Sequence, residues 1–160
     1  MSTPSTDTDL KAMRLAIEAS EQAADKGDGP FGATLVSPEG NILLVASNNA
    51  KTAADCTGHA EMVLIRQAQA QFGLPALRGA TVVASGEPCA MCAGALFWAG
   101  ISRIVFAASH ADIIRARGAS PAMPIDSRTT LAGAQPAVEI DGPLLGDEAY
   151  AVLKRVGDGR

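Results

Sequence analysis

Ala80-Thr81-Val82-Val83-Ala84-Ser85-Gly86-Glu87-Pro88-Cys89-Ala90-Met91-Cys92 changes its pattern midway, and that change decides the fold. Ala80 to Ser85 is a short run of small and β-branched residues, the mark of a buried strand. Gly86-Glu87-Pro88 turns the chain. Cys89 to Ala99 is an apolar helical stretch stopped at Gly100. Pro88 suits a helix start, where its missing N–H is no loss. Cys89 and Cys92 stand at i and i+3 and share one face of the helix's first turn. The positive end of the helix dipole lies there and favours thiolates and metal binding. Alone, a Cys-x-x-Cys pair has three readings: a redox couple, half of a structural zinc site, or chance.

A second piece upstream narrows the choice. His59-Ala60-Glu61 opens a helical stretch to about Phe72, with Ile65, Ala68 and Phe72 at i, i+3 and i+7. His59, Cys89 and Cys92 together supply three metal ligands, and a catalytic zinc takes three and keeps one position open for water. Zinc lowers the pKa of such a water to roughly 7. Glu61, two residues after His59, falls beside the metal, where a carboxylate can carry protons; such general acid–base work contributes about 10²–10⁴ in rate. Cys56 provides the sharpest rival. If it reached the metal, Cys56, His59, Cys89 and Cys92 would make a closed Cys₃His site, which is structural. That arrangement leaves Glu61 without a role, and a redox pair leaves both His59 and Glu61 without one. His110 as a fourth ligand is weaker still, and a surface or core-edge position is its plain reading.

The remaining chain frames these two pieces. Residues 1–8 read as disordered, with Asp7 or Thr8 capping a helix from near Asp9 to Lys26-Gly27. Residues 31–37 and 42–46 read as strands around the Pro38-Glu39-Gly40-Asn41 turn, hence a hairpin. Ser47 to Gly58 is a polar loop. Arg103 to Ala108 is a fourth strand, Asp112 to Arg117 a short helix, 118–135 a loop, Ala137 to Ile140 a fifth strand, and Leu144 to Val156 an amphipathic helix. Helices between strands imply parallel crossovers, and the hairpin an antiparallel edge, so the expectation is an α/β domain with a mixed sheet between helices. No repeat or linker divides residues 1–160.

Composition sets the outer bounds. The 160 residues are 48% apolar, enough for one sizeable core. No run is long enough to cross a bilayer, and the polar N-terminus is no signal peptide. Three cysteines, two of them in a metal-type motif, fit reduced thiols in a cytoplasm. Net charge is −4. The loose group Arg103, Arg115, Arg117 and Arg128 reads better as solvated surface than as a basic face for nucleic acid.

With these residues in place, the chain resembles the cytidine-deaminase-like superfamily, in its nucleobase and tRNA-adenosine deaminase branch. Gly29-Pro30-Phe31-Gly32-Ala33 is similar to that branch's first-strand motif, and Asn48 to the Asn that hydrogen-bonds the base. Asp55-Cys56-Thr57-Gly58-His59-Ala60-Glu61 resembles its Asp-Pro-Thr-Ala-His-Ala-Glu, and Glu87 to Ala95 its Glu-Pro-Cys-x-Met-Cys-x-Gly-Ala. The likeness covers about residues 9–110. It implies a three-layer α-β-α sandwich with a five-stranded mixed sheet, and one zinc ion per chain on His59, Cys89 and Cys92. Glu61 would shuttle protons in hydrolytic deamination, usually within a homodimer. Asn48, Phe31, Ala60 and Trp98 are the candidate substrate contacts, and Asp55 a support for the loop or His59. Each has a plainer alternative: Asn48 as a turn residue, Phe31 as core, Phe97 and Trp98 as core or dimer interface. Asp112 could meet substrate, with a helix cap the favoured reading. Cys56 and Gly58 depart from the pattern. The expected substrate is a free nucleobase, guanine or a related aminopurine, with cytosine, a pterin, a triazine or a wobble tRNA adenosine as alternatives. The acidic residue that guanine deaminases carry after the fourth strand would fall near Ser120, where this chain has none.

Overall fold

Each of five strands is short, and what fixes their order is which faces they can bury. The computed structural model describes residues 3–118 and 121–158, so Ser120 lies outside the described residues. The elements run α1 (Asp7–Asp25), β1 (Gly32–Val36), β2 (Ile42–Ser47), α2 (Ala60–Phe72), β3 (Thr81–Gly86), α3 (Ala90–Trp98), β4 (Arg103–Ala108), α4 (His110–Arg117), α5 (Ser127–Thr130), β5 (Glu139–Asp141) and α6 (Gly146–Asp158). The sheet order is β2-β1-β3-β4-β5. β1 pairs antiparallel with both β2 and β3, while β3, β4 and β5 are parallel. The mixed five-stranded sheet is therefore present, and the hairpin lies at one edge.

β1 and nearly all of β3 and β4 are buried on both faces, as central strands covered by helices must be. One core joins Leu35, Val82 and Ile104 to Leu64 and Ala68 of α2 and Leu96 of α3. The other joins Val36, Val83 and Val105 to Met13 and Ala16 of α1 and Val152 of α6. Each fully buried aliphatic side chain of this kind is worth about 1.5–3 kcal/mol. Gly32 allows α1 to approach, since a Cβ there would lie 2.1 Å from the Ala16 carbonyl oxygen.

An ionic knot ties the sheet's lower end. Arg103 of β4 donates to Asp9 of α1 (2.9 Å) and to Asp141 of β5 (2.9 Å). α1 begins at Asp7, so Asp7 and Thr8 belong to the helix rather than to a disordered stretch, and its cap is Thr6, in a reciprocal capping box with Asp9. Asp112 does serve a cap, but as the partner of Ser109, which places the start of α4 at His110. The 118–135 stretch expected as loop contains α5, capped by Asp126.

Candidate metal centre and its cavity

Two helix starts converge at the carboxyl ends of the sheet. His59 is the N-cap of α2 and Cys89 the N-cap of α3, and neither side chain caps its own helix. Both point instead at each other. His59 Nδ1 lies 3.5 Å from Cys89 Sγ and 3.6 Å from Cys92 Sγ. All three donor atoms lie within 4.8 Å of one another, so the group could hold a metal ion. Zn–S and Zn–N bonds of ordinary length at a tetrahedral angle would set nitrogen and sulfur about 3.5 Å apart, so the donors fit zinc. Cys56 is exposed and outside this group, which leaves three protein ligands and not the closed Cys₃His set.

The three donors set one another's charge. Hydrogen bonding from Cys92 pulls the Cys89 thiol down to about 4, against the effect of burial, and His59 assists. Cys92 is pushed up, first by its bond to Cys89 and then by burial. The hydrogen bond to Cys89 raises His59. A metal ion displaces the proton that Cys92 retains, so binding releases a proton. Burial raises Glu61 to about 7. Glu61 is only 6% exposed.

A cavity of about 360 Å³ opens over this centre, lined by His59, Glu61, Cys89, Asn48 and Phe31 together with Ile113, Arg117 and Met123. Asn48 Oδ1 accepts from the Ala50 amide at 3.0 Å and shapes the loop, which leaves the amide nitrogen as a donor for a ligand. Gly29 leaves room beside it, since a Cβ there would lie 3.2 Å from Asn48 Nδ2. Asn48 is thus both turn residue and cavity wall. Phe31 lines the cavity beneath the Arg117 guanidinium, 5.6 Å from its ring centroid. Asp28 fixes the loop by accepting from the Lys51 and Thr52 amides, each at 2.9 Å.

Two expected substrate contacts lie outside the cavity lining, and Asp55 takes the loop-supporting half of its expected role. Trp98 is 83% exposed and does not line the cavity; its position near the end of α3 points it outward. Ala60 is fully buried in the α2 core, behind the cavity wall. Asp55 accepts from Thr57 N at 2.9 Å and from Arg66 at 3.2 Å, so it holds the loop and not the His59 ring. Gly58 has a packing reason, since a Cβ there would lie 2.5 Å from Asn49 Oδ1.

Two residues gain importance beyond the sequence reading. Glu87 is buried and accepts from His110 N at 2.8 Å and from Ser127 N at 3.1 Å. His110 lines the cavity, and its Nε2 is buried with no hydrogen-bond partner among the described residues. The signal for Glu87 was a carboxylate between a buried strand and a helix start, but its partners lie far along the chain.

Comparison with known proteins places this geometry. The family described as the cytidine and deoxycytidylate deaminase zinc-binding region matches residues 6–108. A probable cytosine deaminase of Schizosaccharomyces pombe is 37% identical over 164 residues, covering 99% of this chain and 98% of its own length. A tRNA-specific adenosine deaminase of Bacillus subtilis is 40% identical over 96 residues, 60% of this chain and 59% of its own. The solved structure of a guanine deaminase from Nitrosomonas europaea shares the fold, with a TM-score of 0.77 at 24% identity, covering 99% of this chain and 86% of that one.

Proposed function

The chain belongs to the cytidine and deoxycytidylate deaminase family, a zinc-dependent hydrolytic deaminase family, and from that premise we propose that it removes the exocyclic amine of a free heterocyclic base. The observation that carries this reading is the meeting of Glu61, Asn48 and the His59–Cys89–Cys92 triad in one cavity of about 360 Å³. That volume is near the small end of ligand sites and suits one or two fused rings.

In this reading His59, Cys89 and Cys92 hold the zinc. Zinc, when bound there, supplies the Lewis acidity that makes hydroxide available near neutral pH. Glu61 takes a proton from the attacking water and delivers it to the ring nitrogen beside the amine; it then takes the second proton from the new C–OH, which becomes the carbonyl, and passes it to the amino group, which leaves as ammonia. Asn48 donates its amide N–H to a base acceptor, and Phe31 with Ile113 forms the apolar walls that exclude water.

Guanine or a related aminopurine is the base we favour, because the cavity accommodates two rings. Cytosine is the second reading, favoured by the relative that matches along its whole length. A tRNA substrate is the least supported: net charge is −4, and nucleic-acid affinity rests on phosphate neutralisation. Ammonia release from the zinc form, against aminopurines, cytosine, pterins, triazines and tRNA, tests the proposal. We expect turnover of a free aminopurine. Turnover of cytosine alone would replace the favoured base, and turnover of tRNA alone would refute the free-base reading.

A further inference from the structure

The Glu87 carboxylate connects the metal-binding loop to two further elements beside the cavity. Glu87 lies two residues before Cys89, and its amide donates to the Ala108 carbonyl at 2.8 Å, fixing it to the end of β4. It is 7% exposed and itself lines the cavity. Oε2 accepts from the amide of His110, the first residue of α4, at 2.8 Å. Oε1 accepts from the amide of Ser127, the first residue of α5, at 3.1 Å, and from its hydroxyl at 2.6 Å. The first amides of a helix have no partner inside it, and an anionic acceptor satisfies them well.

Pro121, Ala122 and Met123, ahead of α5, line the cavity, while α4 brings Ile113 and Arg117. α4 has no fully buried residue and rests on the second core only through Ile113 and Ala116, so its first turn depends on polar contacts for its place. One carboxylate therefore grips the starts of both helices.

We propose that Glu87 is a positioning residue for substrate: it holds the starts of α4 and α5, and hence the cavity lining beside them, at the distance a bound base requires. This rests on the reading of the cavity as a base-binding site. Glu87 donates nothing to the metal set and needs no proton transfer. Its loss acts on substrate binding before it acts on chemistry at Glu61.

Glu87→Gln is the first test, in the zinc-loaded full chain. The amide keeps one oxygen for Ser127 but presents an NH₂ where His110 N needs an acceptor. We expect unchanged zinc content, faster hydrogen exchange at the His110 amide, and KM raised about tenfold or more with kcat within a few-fold, as for a lost buried bond to a charged acceptor. Ser127→Ala keeps the question open to measurement if Glu87→Gln fails to fold, and should raise KM about threefold at unchanged kcat. The double variant should be no worse than Glu87→Gln, because the two act as one unit. Additive effects, loss of zinc without faster exchange, or a fall in kcat at constant KM would overturn the proposal. Should the wild type release ammonia from no base, the functional reading fails, while the exchange rates at His110 and Ser127 still decide the latch.

Discussion

At the metal centre, Cys92 is 0% and Glu61 6% exposed; in α4, which also lines the cavity, no residue is fully buried. The centre is built on α2 and α3, whose apolar faces join Leu35, Val82 and Ile104 in one core. α4 rests on the second core through Ile113 and Ala116 and on Tyr150 of α6 through Arg115, and Glu87 fixes its first amide. The family match covers residues 6–108 and ends just before α4. The difference teaches that the metal donors and Glu61 are placed by close packing that tolerates little displacement. Of α4, only Ile113 and Ala116 pack on the core, so its other side chains are less constrained by packing.

The sharpest contrast should come from the metal centre. Glu61→Gln should lower turnover by about 10²–10⁴ with zinc content unchanged by metal analysis; a variant retaining wild-type turnover would remove the proton carrier from the mechanism. Cys92→Ala should lose stoichiometric zinc, because two remaining ligands do not make a catalytic site. In the ionic knot, Arg103→Leu should cost about 3–5 kcal/mol in urea unfolding at pH 7, since Asp9 and Asp141 stay buried without their cation.

That knot also sets an acid response. Burial pushes Asp9 up, but the hydrogen bonds from Arg103 and Thr6 outweigh it and hold the carboxyl below its usual value. A lowered folded pKa contributes stability that is full above the unfolded value, near 3.8, and is lost as pH falls through the folded one. Wild-type stability should thus drop below about pH 4, and the Arg103→Leu variant should show less of that drop. In α4, Ile113→Ala should raise KM about tenfold with zinc content unchanged, and lower the urea midpoint modestly because Ile113 packs half-buried on the second core; a wild-type KM would remove Ile113 from the substrate contacts. The smallest effect is expected at the rim. Cys56→Pro should keep full zinc content, whereas metal loss would bring Cys56 into the ligand set.

Particular residues show what could be read in advance. The changes of period at Thr81, Ala90 and Arg103 gave those elements within a residue or two, because strand and helix patterns are local. His59, Glu61, Cys89 and Cys92 were legible because each pair's spacing is set within one helical turn and their chemistry is narrow. Trp98 misled because aromatic type says nothing about the direction of a helix face. Ala60 misled because a neighbour of a ligand in sequence can face the opposite side of the same helix. Glu87 was visible in the motif without a role, because its partners lie 23 and 40 residues away.

By itself, then, the sequence determined the metal-donor set His59, Cys89 and Cys92, the alternation of strands and helices, and thereby the reaction class. The tertiary structure decided that β1 sits antiparallel between β2 and β3, that Cys56 stays outside the donor set, and that Asp55 grips Thr57 and Arg66. It also decided that Glu87 accepts from the first amides of α4 and α5. The physical reason is the range of the interactions. Periodicity and ligand spacing act over a single turn of chain, whereas strand order and a carboxylate's partners are settled only when distant segments compete for the same buried surface and the same hydrogen bonds.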